Sequence, residues 1–442
     1  MINHRLKKAF LAVATQALLN IAYAQSSARN LSMDEAVSIA LEQNKGLSIA
    51  AIDEKIAMAH YRETDAAFLP GIGVSYSALS TNNPLNAFGF KLQQKSVSQQ
   101  DFDPSILNHP GAVPDFSLQA GIQQPLLNLD MLYMRKASYK QAQVQHMQGL
   151  RKEDHVVLQV KQTYLQLFLA QESLHVLQEA LSAAKATYKF ISDRYEQGLL
   201  QKYDLLNSGV QVKTIETAIA EATSNIHNLS DALSLLMNQP AGIVYVANIP
   251  GQILEKMPGD MLPPKRADLL AMETAVQSYD WMIKSSRARH LPQLNAFANY
   301  QLHDKSIFGF GGSGYLAGIQ LSWNIFSGFQ TKYKIAAQTE MRKKIIAERE
   351  EQKSKSNHEI AKTIRTLNDA EFNIRQQREA VEESAEALRT IRNRFNQGLV
   401  NTAEVLMAQA QLAQQKMGLA QAEFTQYNAV IYLQFLTTVH QP

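Results

Sequence analysis

The sequence has no cysteine among its 442 residues, so it offers no thiolate for a metal, no disulfide and no side chain for a lipid anchor. Turn formers are scarce as well: 13 prolines and 20 glycines in a chain of this length imply few turns and long elements. Charged residues make up 19%, below the usual figure of about 25%, which gives no reason to expect a strongly charged partner. No internal run approaches the roughly 18 apolar residues of a membrane-spanning helix, so a helical membrane protein is not expected. The 11 histidines include no i,i+4 pair, which excludes the helical zinc-protease arrangement. No serine or carboxylate stands at a convincing spacing from a histidine, so no enzyme, cofactor or metal site is expected. Gly309–Gly314 (GFGGSG) lacks the Lys-Ser/Thr ending of a phosphate-binding loop and reads as a mobile loop between strands. Met131 and Met134, one helical turn apart, read as core filling. What is abundant is apolar surface: 45% of residues are hydrophobic, so a large area must be buried.

Residues 1–24 carry Arg5, Lys7 and Lys8 before an apolar run ending in Ala22-Tyr23-Ala24, the pattern of an export signal with its cleavage site. Setting that segment aside leaves 40 basic against 40 acidic residues, because it holds three of the 43 basic residues and none of the acidic ones. A neutral remainder gives no electrostatic basis for nucleic-acid binding.

The rest of the chain is a duplicated unit. Arg194–Gln211 (RYEQGLLQKYDLLNSGVQ) aligns with Arg394–Gln411 (RFNQGLVNTAEVLMAQAQ) at an offset of 200 residues. The first repeat is expected over 25–240 and the second over 265–442, with a linker over 241–264 rich in proline (Pro250, Pro258, Pro263, Pro264). In each repeat the hydrophobic period switches between two values. Val156, Val160, Leu167, Ala170, Leu174, Leu177, Leu181 and Ala184 follow a 4,3 heptad spacing, and Val212, Ile215, Ile219, Ile226 and Leu233 return on a matching seam. The second copy keeps this grid but places Ser356, Gln377 and Ser384 on it. Helical hairpins are expected over about 128–238 and about 330–436, with a first helix of about 70 residues and about 100 Å. Before each hairpin lie pairs of segments with period two, at about 71–80, 115–124, 292–303 and 314–323, apolar on one face and polar on the other apart from Phe297. Their length and alternation suit outer-membrane barrel strands, and four strands fall short of the usual minimum of about eight, so closure would need several chains.

Leu31-Ser32-Met33-Asp34-Glu35-Ala36-Val37, the Leu69-Pro70 and Leu291-Pro292 strand openings and the two R-[YF]-x-Q-G-L motifs resemble the TolC family of bacterial outer-membrane efflux proteins. The resemblance spans nearly all of the chain after residue 24. It implies a mainly α fold with a small β part: a homotrimer whose four strands per chain build one twelve-stranded barrel in outer-membrane lipid, continuous with a long α-helical barrel in the periplasm of a Gram-negative cell. It further implies the exit duct of a tripartite pump or type I secretion system, partnered by a periplasmic adaptor and, through it, an inner-membrane transporter.

Gly198 and Gly398 end the heptad seams where a positive φ is needed, and would sit at the periplasmic tips. Asp204 and Glu404, six residues on, read equally as helix N-terminal carboxylates or, by resemblance, as groups lining a gated aperture with Lys202 beside them. Met407 stands where the family carries a further aspartate, so no double acidic ring is expected. Arg194, Leu199, Arg394 and Leu399 flank the tips and are candidates for adaptor contact. The main competing reading is a periplasmic coiled-coil adaptor or scaffold without a channel, which would present one hairpin between β domains. The transported cargo leaves no sequence signature.

Overall fold

The computed structural model describes residues 29–248 and 259–440. The signal expected at 1–24 lies outside the described residues, as do 249–258 of the linker. In chain order the elements are β1 (Arg29–Leu31), α1 (Met33–Gln43), α2 (Lys45–Glu63), β2 (Gly71–Thr81), α3 (Pro84–Gln93), α4 (Pro104–Asn108), β3 (Val113–Leu127), α5 (Leu129–Glu196), α6 (Lys202–Leu236), β4 (Tyr245–Ala247), α7 (Ala267–Ala288), β5 (Gln293–Asp304), β6 (Gly312–Ser322), α8 (Gln330–Asn396) and α9 (Thr402–Thr437). The fold is mainly α with a small β part. No described helix is long and apolar enough to cross a membrane. Contacts divide the chain into two compact units, each drawing on both sequence repeats.

The first unit takes the described parts of Met1–Ile52, Met147–Leu270 and Glu350–Pro442. Its core is built from the heptad seam of α5, where Val156, Val160, Leu167 and Ala170 are buried, with Ile226 and Leu233 of α6 and Val430, Leu433 and Leu436 of α9. The chain reaches that core through a short parallel ribbon in which β1 pairs with β4, Arg29 opposite Tyr245. Ser32 then caps α1 by accepting Glu35 N–H at 3.1 Å, and Met33, Ala36 and Ala40 bury the helix's inner face. Thus the Leu-Ser-Met-Asp-Glu-Ala motif is a strand end, an N-cap and a core stripe in succession. Farther along, Leu177, Leu181 and Ala184 of α5 pack on Val212, Ile215 and Ile219 of α6. At the matching level of the second hairpin, Gln377 has a buried side-chain oxygen without a hydrogen-bond partner.

Two buried polar groups tie this core together. Tyr164 is fully buried; its hydroxyl lies 2.8 Å from Leu31 O and 3.1 Å from Asn248 O and accepts Asn248 N–H at 3.0 Å. Arg266, also fully buried, clasps Asp268 through two bonds of 2.7 and 2.8 Å and donates to Ser356 Oγ at 2.7 Å. Ser356 is therefore the acceptor for a buried guanidinium, which explains a hydroxyl on the heptad grid where the first repeat has Val156.

The second unit is Asp53–His146 with Ala271–Arg349. It holds a four-stranded sheet in the order β2-β3-β5-β6, antiparallel throughout, so the two repeats join at the β3–β5 pair. β2 and β6 are left as edges. Beside the sheet, α7 sits close on α5 through small polar residues: buried Ser278 and Ser285 donate to the α5 carbonyls of Ala137 (3.0 Å) and Asp130 (2.8 Å).

Tyr164→Phe is expected to cost about 1–2 kcal/mol, because it strands the carbonyl of buried Leu31 without adding apolar contact. Thermal unfolding of the purified protein in detergent checks this, and an unchanged midpoint contradicts it.

Candidate functional site

The hairpin tips are built alike in both repeats. In the first, Leu199 N–H donates to Arg194 O and Gly198 N–H to Tyr195 O, both at 2.9 Å; in the second, Leu399 donates to Arg394 O and Gly398 to Phe395 O, again at 2.9 Å. These are the two bonds of a Schellman stop, and Gly198 and Gly398 have the φ it requires, +74° and +75°. The R-[YF]-x-Q-G-L motif is therefore a helix terminator: the arginine and the aromatic residue after it supply the accepting carbonyls, the glycine the left-handed turn, and the leucine the closing N–H. Arg194 adds a second role, since its guanidinium stacks 4.8 Å from the Phe190 ring and donates to Asn396 O at 3.3 Å, linking the two tips. Ile191, Phe395 and Val405 form the apolar cluster beneath. Leu199 and Leu399 stay outside it, each 62% exposed.

Both carboxylates expected near the aperture cap their own helices. Asn401 Oδ1 accepts Glu404 N–H at 3.0 Å while Glu404 Oε1 accepts Asn401 N–H at 3.2 Å, a full capping box. Asp204, buried, accepts Gln201 N–H at 3.4 Å through Oδ2. Lys202 is exposed at the first position of α6, and the ion pairs of the described residues do not include it. Within one chain it is thus the Gln201 backbone, not Lys202, that holds Asp204.

The sheet has two chemically distinct faces. Ile72, Val74 and Tyr76 of β2 share one face with Leu118, Ala120 and Ile122 of β3, Ala296, Ala298 and Tyr300 of β5 and Tyr315, Ala317 and Ile319 of β6. Much of it is bare, with Ile72 76%, Tyr315 84% and Ile319 67% exposed. The opposite face carries Ser75, Gln119, Gln123, Asn299, Gln301 and Gln320, interrupted by Phe297 and Leu316. Pairs across strands knit it: Ser77 to Ser117 at 2.7 Å and Gln301 to Gln119 at 3.2 Å.

At one end of the sheet, residues 82–112 form an ordered segment that the alternation pattern does not signal. Asn83 and Asp103 cap α3 and α4, each with proline at the next position, and these Asx-Pro pairs are the sequence signal that could have located the helices. α3 packs on β3, β5 and β6. From the residue after α3, buried Gln94 donates to Asp115 Oδ1 at 2.9 Å, and His303 Nδ1 lies 2.9 Å from Asp115 Oδ2. The segment is braced internally by Lys91, whose ammonium 2.6 Å from Asp101 holds that carboxyl down at about 2, with the Ser98 N–H and hydroxyl assisting. Gly309–Gly314 also departs from the free loop expected. Gly312 and Gly314 are already in β6, and the Asp304 carboxylate ties the turn by accepting Ser306 N–H and Gly311 N–H, both at 2.8 Å.

Long hairpins with glycine-stopped tips, joined in sequence to a sheet that is apolar on one face and amide-lined on the other, are parts of a membrane-duct subunit rather than of an adaptor. The chain belongs to the Outer membrane efflux protein family, whose profile matches residues 36–239 and 262–438. It is similar to outer membrane protein OprJ of Pseudomonas aeruginosa, 23% identical over 398 residues that cover 84% of this chain and 77% of that one. Among solved structures, CusC aligns with a TM-score of 0.79 at 17% identity over 92% of both chains. VceC of Vibrio cholerae aligns with a TM-score of 0.75 at 16% identity, over 92% of this chain and 96% of that one. At those identities the two structures show a shared fold. The protein is an efflux channel of the outer membrane, and its family is one of transport channels, not enzymes.

The Lys91–Asp101 brace sets a pH dependence. Because the Asp101 carboxyl sits at about 2 in the fold against 3.8 ordinarily, its contribution is fully present above pH 3.8 and is lost as pH falls through 2. Pepsin cleavage within 82–112 should therefore stay slow at pH 3 in the unmodified protein and become faster at that pH in Lys91→Ala. Equal rates contradict the brace.

Proposed function

We propose that three copies close their sheets into one twelve-stranded barrel and that the assembly is the exit duct of a tripartite efflux pump, reached from an inner-membrane transporter through a periplasmic adaptor. The supporting observation is the sheet itself: four strands with two unpaired edges, β2 and β6, and one exposed apolar face. In hydrocarbon an unpaired strand edge strands its N–H and C=O groups, and closure removes both edges at once. At 11 to 15 residues the strands are long enough to span the hydrocarbon layer, which takes about 9–11 residues of a tilted strand. The apolar face then meets lipid, the amide face lines a water-filled lumen, and the hairpins extend into the periplasm. Service in type I secretion uses the same parts and differs only in the transporter.

The absence of cysteine makes the assembly directly testable. Val74→Cys in β2 combined with Ala317→Cys in β6, joined by a bis-maleimide in outer membranes, is expected to give a ladder that ends at three chains. Material that remains monomeric in the membrane overturns the barrel.

At the tips we assign Asp204 and Glu404 to the aperture, where three chains would contribute six carboxylates favouring cations. Each cap bond uses one carboxylate oxygen, which leaves half-buried Glu404 a second oxygen for the opening, while Asp204, buried within one chain, would contribute its charge from behind the surface. Alanine would remove the cap along with the charge; Asp204→Asn with Glu404→Gln keeps an acceptor and removes only the charge. This double variant is expected to lower cation preference, read as the reversal potential across a planar bilayer under a salt gradient. An unchanged potential removes the carboxylates from the aperture. Exposed Leu199 and Leu399, with the Arg194 and Arg394 stops behind them, are assigned to adaptor contact. Leu199→Asp with Leu399→Asp should abolish adaptor cross-links while trimers persist, and intact cross-linking refutes the assignment.

A further inference from the structure

The amide face of the sheet contains a concavity of about 720 Å³ whose wall includes Gly73, Gln119, Gln123, Phe297, Asn299 and Gln320. Its chemistry is narrow. None of these side chains is ionisable, and the amides of Gln and Asn both donate and accept hydrogen bonds. A charged solute entering here finds no counter-ion, whereas a neutral solute with a carbonyl or amide finds partners of either sense.

Ile72, Val74 and Ile122 also border this wall, Phe297 is its aromatic member, and the placement of that ring is specific. It stands opposite Gly318 in the β5–β6 register. A Cβ at Gly318 would lie 3.2 Å from the ring's Cζ and 3.4 Å from Cε1, so the ring rests on the glycine backbone and any side chain there would press on it. Braced in this way, the half-buried ring lines the concavity. An aromatic ring anchored among amides can stack against a planar solute.

We propose that this concavity is a transit site for neutral, planar organic molecules, and that Phe297 is the residue by which it prefers an aromatic ring to a saturated one. The proposal rests on the amide face lining the lumen, as set out for the trimeric duct. It assigns the channel a weak chemical preference of its own, located in the sheet and distinct from the charge at the hairpin tips.

The test compares benzamide with cyclohexanecarboxamide, which share an amide and a ring size and differ in aromaticity, and adds tetramethylammonium as a cation. Each is applied to single channels of the full chain in planar bilayers, and residence is read from current interruptions. Benzamide is expected to reside about three- to tenfold longer than cyclohexanecarboxamide, the range that aromatic stacking supplies. Phe297→Leu, which keeps an apolar side chain on Gly318, should erase that difference, and Phe297→Tyr should retain it. Equal residence of the two amides in the unmodified channel overturns the site, as does a preference that survives Phe297→Leu. Interruption by tetramethylammonium that depends on Phe297 overturns the neutral-solute assignment in favour of cation–π binding. Absence of any conductance overturns the duct itself, and the site's lumenal place with it.

Discussion

A peptide group facing hydrocarbon has no water to bond, and that constraint governs how this chain is organised. Its sheet is complete in the middle, where β3 and β5 each have two neighbours, and incomplete at both margins. An apolar face as exposed as that of Ile72, Tyr315 and Ile319 adds a second demand, since a surface of that kind is stable only against lipid or another protein. The closed barrel proposed above would meet both demands. The long helices answer to the same logic on the water side: their backbone groups are satisfied internally, and their seams bury the remaining apolar side chains.

The tips show how little sequence is needed to turn such a helix. Six residues, from Arg194 to Leu199 and again from Arg394 to Leu399, close the last carbonyls, reverse the chain and end the helix. A carboxylate three residues after the N-cap starts the return helix in each copy. The repeats diverge above this shared terminator. Leu177 and Ala184 of the first helix correspond to Gln377 and Ser384 in the second, so the apolar cluster of the first hairpin has no counterpart at that level and a glutamine oxygen is buried without a partner. The second hairpin is consequently the less self-sufficient coil of the two, and its neighbours supply contacts of another kind, such as Lys416 to Glu179 and Gln409 to Thr187 on α5.

Periodicity made the local elements readable. Alternation places a strand at about 71–80 where β2 runs Gly71–Thr81, and the heptad seams place Val212 and Ile215 in contact with Ala184. The helix stop was readable because it is a contiguous motif. Features that depend on distant pairing were not. Nothing local says that β3 lies beside β5, that three residues at Arg29 pair with three at Tyr245, or that Gln94, Asp115 and His303, up to 209 positions apart, meet at one end of the sheet. Ser356 looked like a defect in a seam until Arg266, 90 residues away, supplied its partner. Of the candidate site residues, the two glycines have the positive φ that the motif foretells, whereas the carbonyl roles of Arg194 and Arg394 and the burial of Asp204 require the folded tip.

Charge is distributed so that these parts can act separately. Asp115 on the amide face is buried and spent on Gln94 and His303 at the rim, and the wall around Phe297 carries no ionisable group. If the amide face lines the lumen as proposed, electrostatic discrimination there would be weak, because the wall offers a passing solute neither a fixed counter-ion nor a charged ring. Carboxylates reappear at the hairpin tips, where capping fixes their position and still leaves each with a second oxygen. In the duct proposed above, charge at the helical tips and aromaticity in the sheet would act on separate stretches of the path, so solutes of varied charge could leave with almost no binding penalty, since a strong site anywhere along it would slow release.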